Sequence, residues 1–537
     1  AELIRINGSG RIQATSALDF EGTEIQLNGD TLEFTTGTSV TLNGGSILSG
    51  VVYKSSMPAL AMNNDNGTYF SSLMVDAPQL QLAGSLVIYG SGVSLKSDVI
   101  NNGTLLNYNN NSYTLQLPGN FTNNGTVTDN VFGFYINISG NLENNGVWDN
   151  YGTILNGNSN QLISMTQPFA GQAFTRAAGG GRLIATTDLA FNNTVITLNN
   201  DTLQFTTGTG ITLSGGCINP GILYKTALPA LRITANEGTY LQNLIIDAPE
   251  TEFYGTVTVY ESSHNFKTSI INNGTLQNYP DNSYALFIDG SVTNNGTIHN
   301  NVYDLYLYIS GNLINNGVWT NRSTVMNGAV NQSVSMSQPF GGYYFERVSA
   351  NGRLQATSNL SFTNTIITLN SDTLEFTSGN SITMNGGCLN PGTLYKATAP
   401  ALKITAGSGN FIYNQIIDAP QTELYGVLLI FGNNHNFKNS VINYGTLQNR
   451  PINSYLLTIN GNLTNNGTIQ NNVYDFYLSI SGNLINNGSW KNLSTILTGT
   501  SVHLFAFSKV FEGVALINDN EAGDIVAATD LTFDGTD

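Results

Sequence analysis

The feature that most constrains the fold of this chain is a long internal repeat. Tryptophan occurs three times, at positions 148, 319 and 490, and both intervals equal 171. The phrases GRIQAT, GRLIAT and GRLQAT begin at positions 10, 181 and 352, with the same spacing. A period that holds without insertions is typical of architectures in which one structural unit packs against its own copy.

The repeat divides the sequence into five segments. We assign residues 1–9 to the end of a preceding copy, residues 10–180, 181–351 and 352–522 to three solenoid copies, and residues 523–537 to the start of a truncated fourth copy. The last assignment depends on GDIVAATDLTF at position 523, which resembles the opening of the other copies. We therefore expect the sequence to be a window of a longer polypeptide.

A shorter period lies inside each copy. The step NNG occurs with its glycine at Gly103, Gly125 and Gly146, so the intervals are 22 and 21, and the other two copies have the same intervals. An apolar residue stands four positions before each of these glycines, and another stands two positions after it. Even offsets are those of side chains on one face of a β-strand. A unit of this length matches one coil of a β-solenoid, so one copy holds about eight coils.

These periods predict the fold class. We expect an all-β chain, an elongated parallel β-helix (β-solenoid) of about 21–22 residues per coil, built from three 171-residue tandem repeats. No extended stretch has the 3.6-residue period of an amphipathic helix. A row of β-sandwich domains is the alternative fold, but no Pro-rich or charged linker separates the copies.

The NNG steps are predicted to be corners between strands. We expect each glycine to take a positive φ there, which asparagine also tolerates better than most residues. In coils stacked about 4.8 Å apart, equivalent amides can hydrogen-bond along the stack as a ladder. Sugar binding by the same amides is the alternative. The predicted structural corners of the first copy are Asn102, Gly103, Asn124, Gly125, Asn145 and Gly146.

The tryptophans are predicted to belong to the core. Trp148 stands where Leu105 and Val127 stand in neighbouring coils, and Trp319 and Trp490 are its equivalents. An inward position would bury the indole ring, whereas an exposed ring could stack on a sugar. We expect burial.

Composition excludes several classes of partner. Only 10% of the residues are charged, compared with about 25% in a typical soluble domain, and the formal charge is −17. No run of Lys or Arg could neutralise phosphates, so nucleic acid is not an expected partner. No apolar run approaches the length of a membrane span, so we expect no membrane insertion. The cysteines, Cys217 and Cys388, occupy equivalent positions of the second and third copies, where the first copy has Ser46, which favours one small buried side chain per copy over a disulfide.

The sequence shows no catalytic, cofactor-binding or metal-binding constellation. No cluster of histidines with metal spacing is present, and no nucleophile elbow is found. The acidic triplets DTL and DAP occur once per copy, whereas an active site is usually a single constellation. We expect DAP to be a turn, with a calcium or sugar site as the alternative. The prediction is a protein that is not an enzyme and uses no cofactor.

Several phrases resemble a known group of proteins. GNLTNNGTI at position 461, GNLINNGVW at 311 and GTILNGNSNQLI at 152 are similar to the GNLxNNGT phrases of repetitive Bacteroidota cell-surface proteins of the adhesin and gliding type. These proteins are β-rich and are often exported by the type IX system. The resemblance covers the NNG-bearing half of each copy well, and it implies an extracellular or cell-surface location.

The DTL triplet carries a second resemblance. Asp-Thr-apolar is similar to the O-glycosylation signal of Bacteroidota, which would modify Thr31, Thr202 and Thr373. The alternative is a turn that enters a strand. The mass of native peptides that contain these threonines distinguishes the two.

Together these features predict the structural shaft of a secreted or cell-surface fibre or adhesin. The chain would be a stiff spacer with multivalent contacts to glycans, to other surface proteins or to copies of itself. The alternatives are a β-helix carbohydrate-active enzyme, either a lyase or a glycosidase, and a carbohydrate-binding module. An ice-binding solenoid would need a regular threonine array, which the sequence lacks.

Overall fold

The computed structural model describes residues 1–6, 10–65, 67–177, 179–348, 351–519 and 523–537. In those ranges every regular element is a β-strand. The same ranges contain no helix that is long and apolar enough to cross a membrane. The chain forms two compact units, Ala1–Thr268 and Ser269–Asp537. Strands within each unit pair in parallel with strands about one coil further on, so the predicted all-β parallel solenoid is confirmed.

Each coil has three sides. In the first unit one coil consists of Asp98–Asn101, Thr104–Asn107 and Tyr113–Leu117. Each of these strands pairs in register with a strand of the next coil. The partners are, in the same order, Phe121–Asn123, Thr126–Thr128 and Phe134–Ile138.

The same path is followed throughout the first copy. Its strands are, in order, Ile12–Ala14, Leu18–Gln26, Thr31–Phe34, Ser39–Tyr53, Leu60–Asp65, Tyr69–Asp76, Gln79–Ile88, Ser94–Leu95, Asp98–Asn101, Thr104–Asn107, Tyr113–Leu117, Phe121–Asn123, Thr126–Thr128, Phe134–Ile138, Leu142–Asn144, Val147–Asp149, Gly152–Leu155, Gln161–Met165 and Ala173–Arg176.

Alternation along each strand builds the core. In Phe134–Ile138 the first, third and fifth side chains are buried and the other two are partly exposed, as expected when successive side chains point to opposite faces. Apolar residues therefore form columns from coil to coil. One such column contains Val99, Phe121, Leu142 and Ile163.

The tryptophans lie in this interior. Trp148, Trp319 and Trp490 are each 0% exposed. The Nε1 of Trp148 donates a hydrogen bond of 2.9 Å to Oδ1 of Asn150, and the other two indoles repeat this contact. A ring with no exposed surface cannot stack on an external sugar. Both cysteines are also buried and free.

The corner glycines are explained by close packing of the backbone. None of Gly103, Gly125 and Gly146 has a positive φ, so the prediction of a left-handed conformation at these corners is wrong. A Cβ added to Gly125 would lie 2.0 Å from the carbonyl oxygen of Gly103, and one added to Gly146 would lie 2.0 Å from that of Gly125. Glycine is required because consecutive corners approach each other more closely than a side chain allows.

One copy is not a whole number of coils. From the first half of Leu18–Gln26, eight successive pairings lead to Leu183–Ala185. The sequence equivalent of Leu183–Ala185 is Ile12–Ala14, which forms the side before Leu18–Gln26. A copy therefore exceeds eight coils by one side. Within the first unit, equivalent strands of consecutive copies face different directions.

Candidate functional site

The predicted corner asparagines form a ladder at the surface. Nδ2 of Asn124 donates to Oδ1 of Asn102 at 3.0 Å, and Nδ2 of Asn145 donates to Oδ1 of Asn124 at 3.2 Å. Each amide accepts from one neighbour and donates to the next, so a column of identical side chains satisfies itself. These residues hold the stack together, and no ligand is needed to explain them.

A second, buried ladder lies one residue earlier and is absent from the sequence prediction. Asn101 donates to Asn123 at 2.8 Å, and Asn123 donates to Asn144 at 2.9 Å. All three are at most 1% exposed. The sequence contains a signal for them, because they stand two residues before each glycine. Residues at even offsets from these glycines have side chains that point inward. The second unit has the same ladder.

The DTL aspartate has a structural partner in each copy. Oδ2 of Asp201 accepts from Nε of the fully buried Arg176 at 2.8 Å, and its Oδ1 accepts from the backbone N–H of Thr202 at 2.7 Å. The pairs Arg5–Asp30 and Arg347–Asp372 repeat this contact. A buried guanidinium requires such a partner. The carboxylates are therefore explained without a ligand.

The threonines of DTL begin the next strand. Thr31, Thr202 and Thr373 are partly exposed. Thr31 and Thr202 belong to different columns of the first unit, so they do not line one face. Their O-glycosylation stays a prediction.

The DAP aspartates lie beside a Tyr-Lys dipeptide of the preceding coil. The carbonyl of Asp76 accepts from the N–H of Lys54 at 2.9 Å, and Asp418 and Lys396 repeat the contact. Among the described residues, no three His, Cys, Asp or Glu side chains come together as a metal site. These contacts fit the turn interpretation of DAP.

Two buried histidines are poised to respond to pH. In His264, Nε2 lies 2.9 Å from the carbonyl oxygen of Tyr260, and Nδ1 accepts from the N–H of Leu244 at 3.3 Å. His435 makes equivalent contacts with Phe431 and Gln415. Burial lowers the pKa of each imidazole to about 4, an effect that the backbone hydrogen bonds only partly oppose. A proton on Nδ1 would also occupy the lone pair that accepts the hydrogen bond from the backbone N–H of Leu244 or Gln415.

We expect these histidines to destabilise the fold in mild acid. The unfolded imidazole takes up a proton near pH 6.5, whereas the folded one stays neutral to about pH 4. Their stabilising contribution is therefore complete above about pH 6.5 and is lost as the pH falls towards 4. Each should cost about 2 kcal/mol at pH 5 relative to pH 7.5. Urea unfolding across this range measures it.

The control for this prediction comes from the first copy, where valine occupies the equivalent position, Val93. The double variant H264V/H435V keeps the carboxylates that also titrate in acid. It should lose most of the extra pH dependence between pH 7.5 and 5. An unchanged pH profile in this variant would contradict the prediction.

Aromatic residues recur at one corner of the copies. In the first unit Tyr69, Tyr89 and Tyr108 contact each other edge to face, with ring centroids 5.0 to 6.0 Å apart. In the third copy Phe411 and Phe431 take the places of Tyr69 and Tyr89, and Arg450 lies 4.1 Å over the ring of Phe411. A feature present in more than one copy is best explained by corner packing.

A groove on the second copy is different, because several of its residues are not shared with the other copies. The strands Leu305–Ile309, Ser323–Met326 and Tyr344–Arg347 stack as three consecutive coils of the second unit. Large outward side chains flank a pair of small ones, and a concavity of about 430 Å³ lies between them. We call this the second-copy groove, and its outward pairs are Tyr306 and Tyr308, Ser323 and Val325, and Tyr344 and Glu346.

Aromatic contacts hold one wall of the groove. The ring of Phe287 stacks on that of Tyr308, with centroids 5.0 Å apart and 15° between the planes. The hydroxyl of Tyr306 donates to Oδ2 of Asp304 at 3.4 Å. Burial, reinforced by the Asp304 carboxylate, raises the pKa of Tyr306, so its hydroxyl stays protonated.

Polar side chains complete the opposite wall and the floor. The guanidinium of Arg322 lies 4.5 Å over the ring of Tyr343 and 5.1 Å over that of Tyr344. Its Nε is 3.7 Å from Oδ2 of Asp304. The hydroxyl of Ser323 donates to Oε1 of Glu346 at 3.3 Å. Donors and acceptors are thus held in fixed positions around an aromatic surface.

The other copies lack most of this constellation. Only Tyr306 has a tyrosine at its equivalent positions, Tyr135 and Tyr477. Both copies have alanine in place of Tyr344, so they lack the second wall. The third copy keeps the serine and the aspartate, as Ser494 for Ser323 and Asp475 for Asp304. The divergent equivalents in the first and third copies are Gln116 and Thr458 for Phe287, Asn137 and Ser479 for Tyr308, Tyr151 and Leu493 for Arg322, Ala173 and Ala515 for Tyr344, and Thr175 and Ile517 for Glu346.

Comparisons with protein-family models, curated proteins and solved structures find no match to the chain. A relation to Bacteroidota surface proteins therefore stays a prediction from short phrases of the sequence.

Proposed function

We propose that the chain is the structural shaft of a secreted or cell-surface fibre or adhesin, acting as a stiff spacer. The observation that carries the proposal is the pair of asparagine ladders at the NNG corners. Each buried or exposed amide there finds its partner in the next coil. Such a stack can be lengthened by adding coils, because each coil contacts mainly its neighbours.

Its location is proposed from the Bacteroidota-like phrases. Glycans, other surface proteins or copies of the same chain are the proposed partners. Because a copy exceeds eight coils by one side, equivalent surfaces of consecutive copies in the first unit point in different directions. Multivalent contacts would therefore surround the shaft and not follow one face.

A non-enzymatic role is proposed in preference to a lyase or glycosidase. Of the described residues that line the second-copy groove, Glu346 is the one carboxylate. Most glycosidases need two carboxylates that flank the scissile bond. Incubation with a panel of polysaccharides tests the alternative, since release of reducing ends or of unsaturated sugars would support an enzyme.

Deletion of residues 181–351 tests the spacer itself. The junction joins equivalent positions, so the coils on either side should still stack. Electron microscopy of the intact and shortened proteins should show a particle that loses about 40 Å, the rise of about eight coils. Loss of the folded state, or unchanged dimensions, would contradict a spacer whose length follows the number of copies.

A further inference from the structure

We infer that the second-copy groove is a binding site for one neutral saccharide. The inference goes beyond the spacer role and stands whether or not that role is correct. Its starting point is that, in the part of the chain that the structure describes, the groove belongs to one copy, whereas the other prominent features are repeated. The positions of Tyr308 and Tyr344 are filled by smaller side chains in both other copies, and that of Glu346 by uncharged ones. Stacking of the coils does not require the larger ones.

The size of the groove fits a small ligand. Its volume of about 430 Å³ lies within the usual range of about 300–1,000 Å³ for small-molecule sites. A stable protein interface needs about 800 Å² from each partner, which is much more than such a concavity offers. A strand of another protein also has no free edge here, because all three strands of the groove are paired.

The width of the groove fits a flat ring. Its walls stand two coils apart, which places their backbones about 9.6 Å from each other. A ring that contacts both walls needs two van der Waals contacts of about 3.5–4.0 Å. A pyranose held between Tyr308 and Glu346 would therefore be a single layer of atoms lying over Val325, which is in register with both.

The aromatic wall fits the apolar face of a sugar. Phe287 covers one face of the Tyr308 ring, which leaves the opposite face for the groove. The face of an aromatic ring is electronegative. The C–H groups on one side of a pyranose carry partial positive charge, so they pack favourably on such a face.

The polar groups fit the hydroxyls of a sugar. Glu346 accepts hydrogen bonds, Arg322 donates them, and the hydroxyls of Ser323 and Tyr306 can do both. Arg322 and Glu346 are already oriented, by Tyr344 and by Ser323 respectively. Pre-oriented groups lose less conformational freedom when a ligand binds.

The charge of the groove points to a neutral saccharide. One carboxylate, that of Glu346, and one guanidinium, that of Arg322, line the groove, and the carboxylate of Asp304 lies 3.7 Å from Arg322. The local charge is therefore negative, as is the charge of the whole chain. An anionic sugar such as a uronate would be repelled.

Titration calorimetry of the intact 537-residue protein tests the inference. The neutral probes are cellohexaose, maltohexaose, laminarihexaose and mannohexaose, and hexagalacturonate is the anionic one. We expect at least one neutral probe to bind at millimolar concentration, with one equivalent per chain. Three equivalents per chain, stronger binding of hexagalacturonate, or no binding of any neutral probe would overturn the proposal.

The repeats supply variants that should fold. F287Q/Y308N/Y344A introduces the residues of the first copy, and Y344A alone introduces one that both other copies have. We expect the triple variant to bind at least about tenfold more weakly and the single variant to be intermediate. The circular dichroism spectrum should be unchanged.

The control is Y444N, which removes another exposed tyrosine of the second unit. Tyr444 stacks on Tyr425 outside the groove, and asparagine is the residue of the other two copies at this position. Its affinity should stay within about twofold of that of the intact protein. Equal losses in Y444N and in the triple variant, or an unchanged affinity in the triple variant, would place the ligand elsewhere.

Discussion

Replacing Asn123 by alanine should destabilise the first unit by about 3–5 kcal/mol. The side chain accepts from Asn101, donates to Asn144 and donates to the carbonyl oxygen of Val147, and it is 0% exposed. Alanine would leave these groups with fewer partners in a place that water does not reach, and it would add a cavity. Hydrogen exchange of peptides from this coil measures the free energy of local opening.

The matched control is the next residue, Asn124. It is the same amino acid at the same corner and also belongs to a ladder, but its amide is exposed to water. N124A should cost less than about 1 kcal/mol, because water replaces the lost hydrogen bonds. Equal costs for the two variants would show that burial of the inner ladder is not what stabilises the corner.

Replacing Gly125 by alanine should cost about 3 kcal/mol or more. The added methyl group would lie 2.0 Å from the carbonyl oxygen of Gly103, and backbone atoms on both sides are held in the coil stack. The corner must therefore open, which also disturbs the pairing of Phe121–Asn123 and Thr126–Thr128 with their neighbours. Urea unfolding followed by hydrogen exchange of this coil gives the magnitude.

Gly238 provides the comparison for Gly125. It has a φ of +84°, and an added Cβ would meet nothing within 4 Å. G238A should therefore cost only about 1 kcal/mol, the penalty of placing alanine in a left-handed conformation. If G125A were no more harmful than G238A, the close approach of stacked corners would not be the reason for the recurring NNG steps of this chain.

Several features of the corner could be read from the sequence. The regular spacing of the NNG glycines predicts the coil, and the even offsets of Val99 and Leu105 predict which side chains point inward. The reason for the glycines was different from the expected one. Backbone conformation is a local property, whereas the distance between Gly103 and Gly125 depends on how two coils stack.

The groove could be predicted only in part. Comparison of the copies identifies Tyr308, Tyr344 and Glu346 as divergent. It does not reveal that they share a surface, because only the stacked structure places Tyr308 and Glu346 on either side of Val325. The coil from Tyr306 to Ser323 is also shorter than the coil from Ser323 to Tyr344. No sequence motif predicts this difference in length.

The sequence by itself determined the period, the strand alternation, the buried tryptophans and the positions of the corners, because each of these depends on residues close together in the chain. The tertiary structure decided which sides stack, and with that the one-side offset between copies, the Arg176–Asp201 pair and the second-copy groove. The reason is that register is the sum of all corner lengths. Coils differ in length, the one from Tyr135 to Gly152 being shorter than the one from Ser46 to Tyr69. Small local differences therefore accumulate into a rotation that only the folded stack displays.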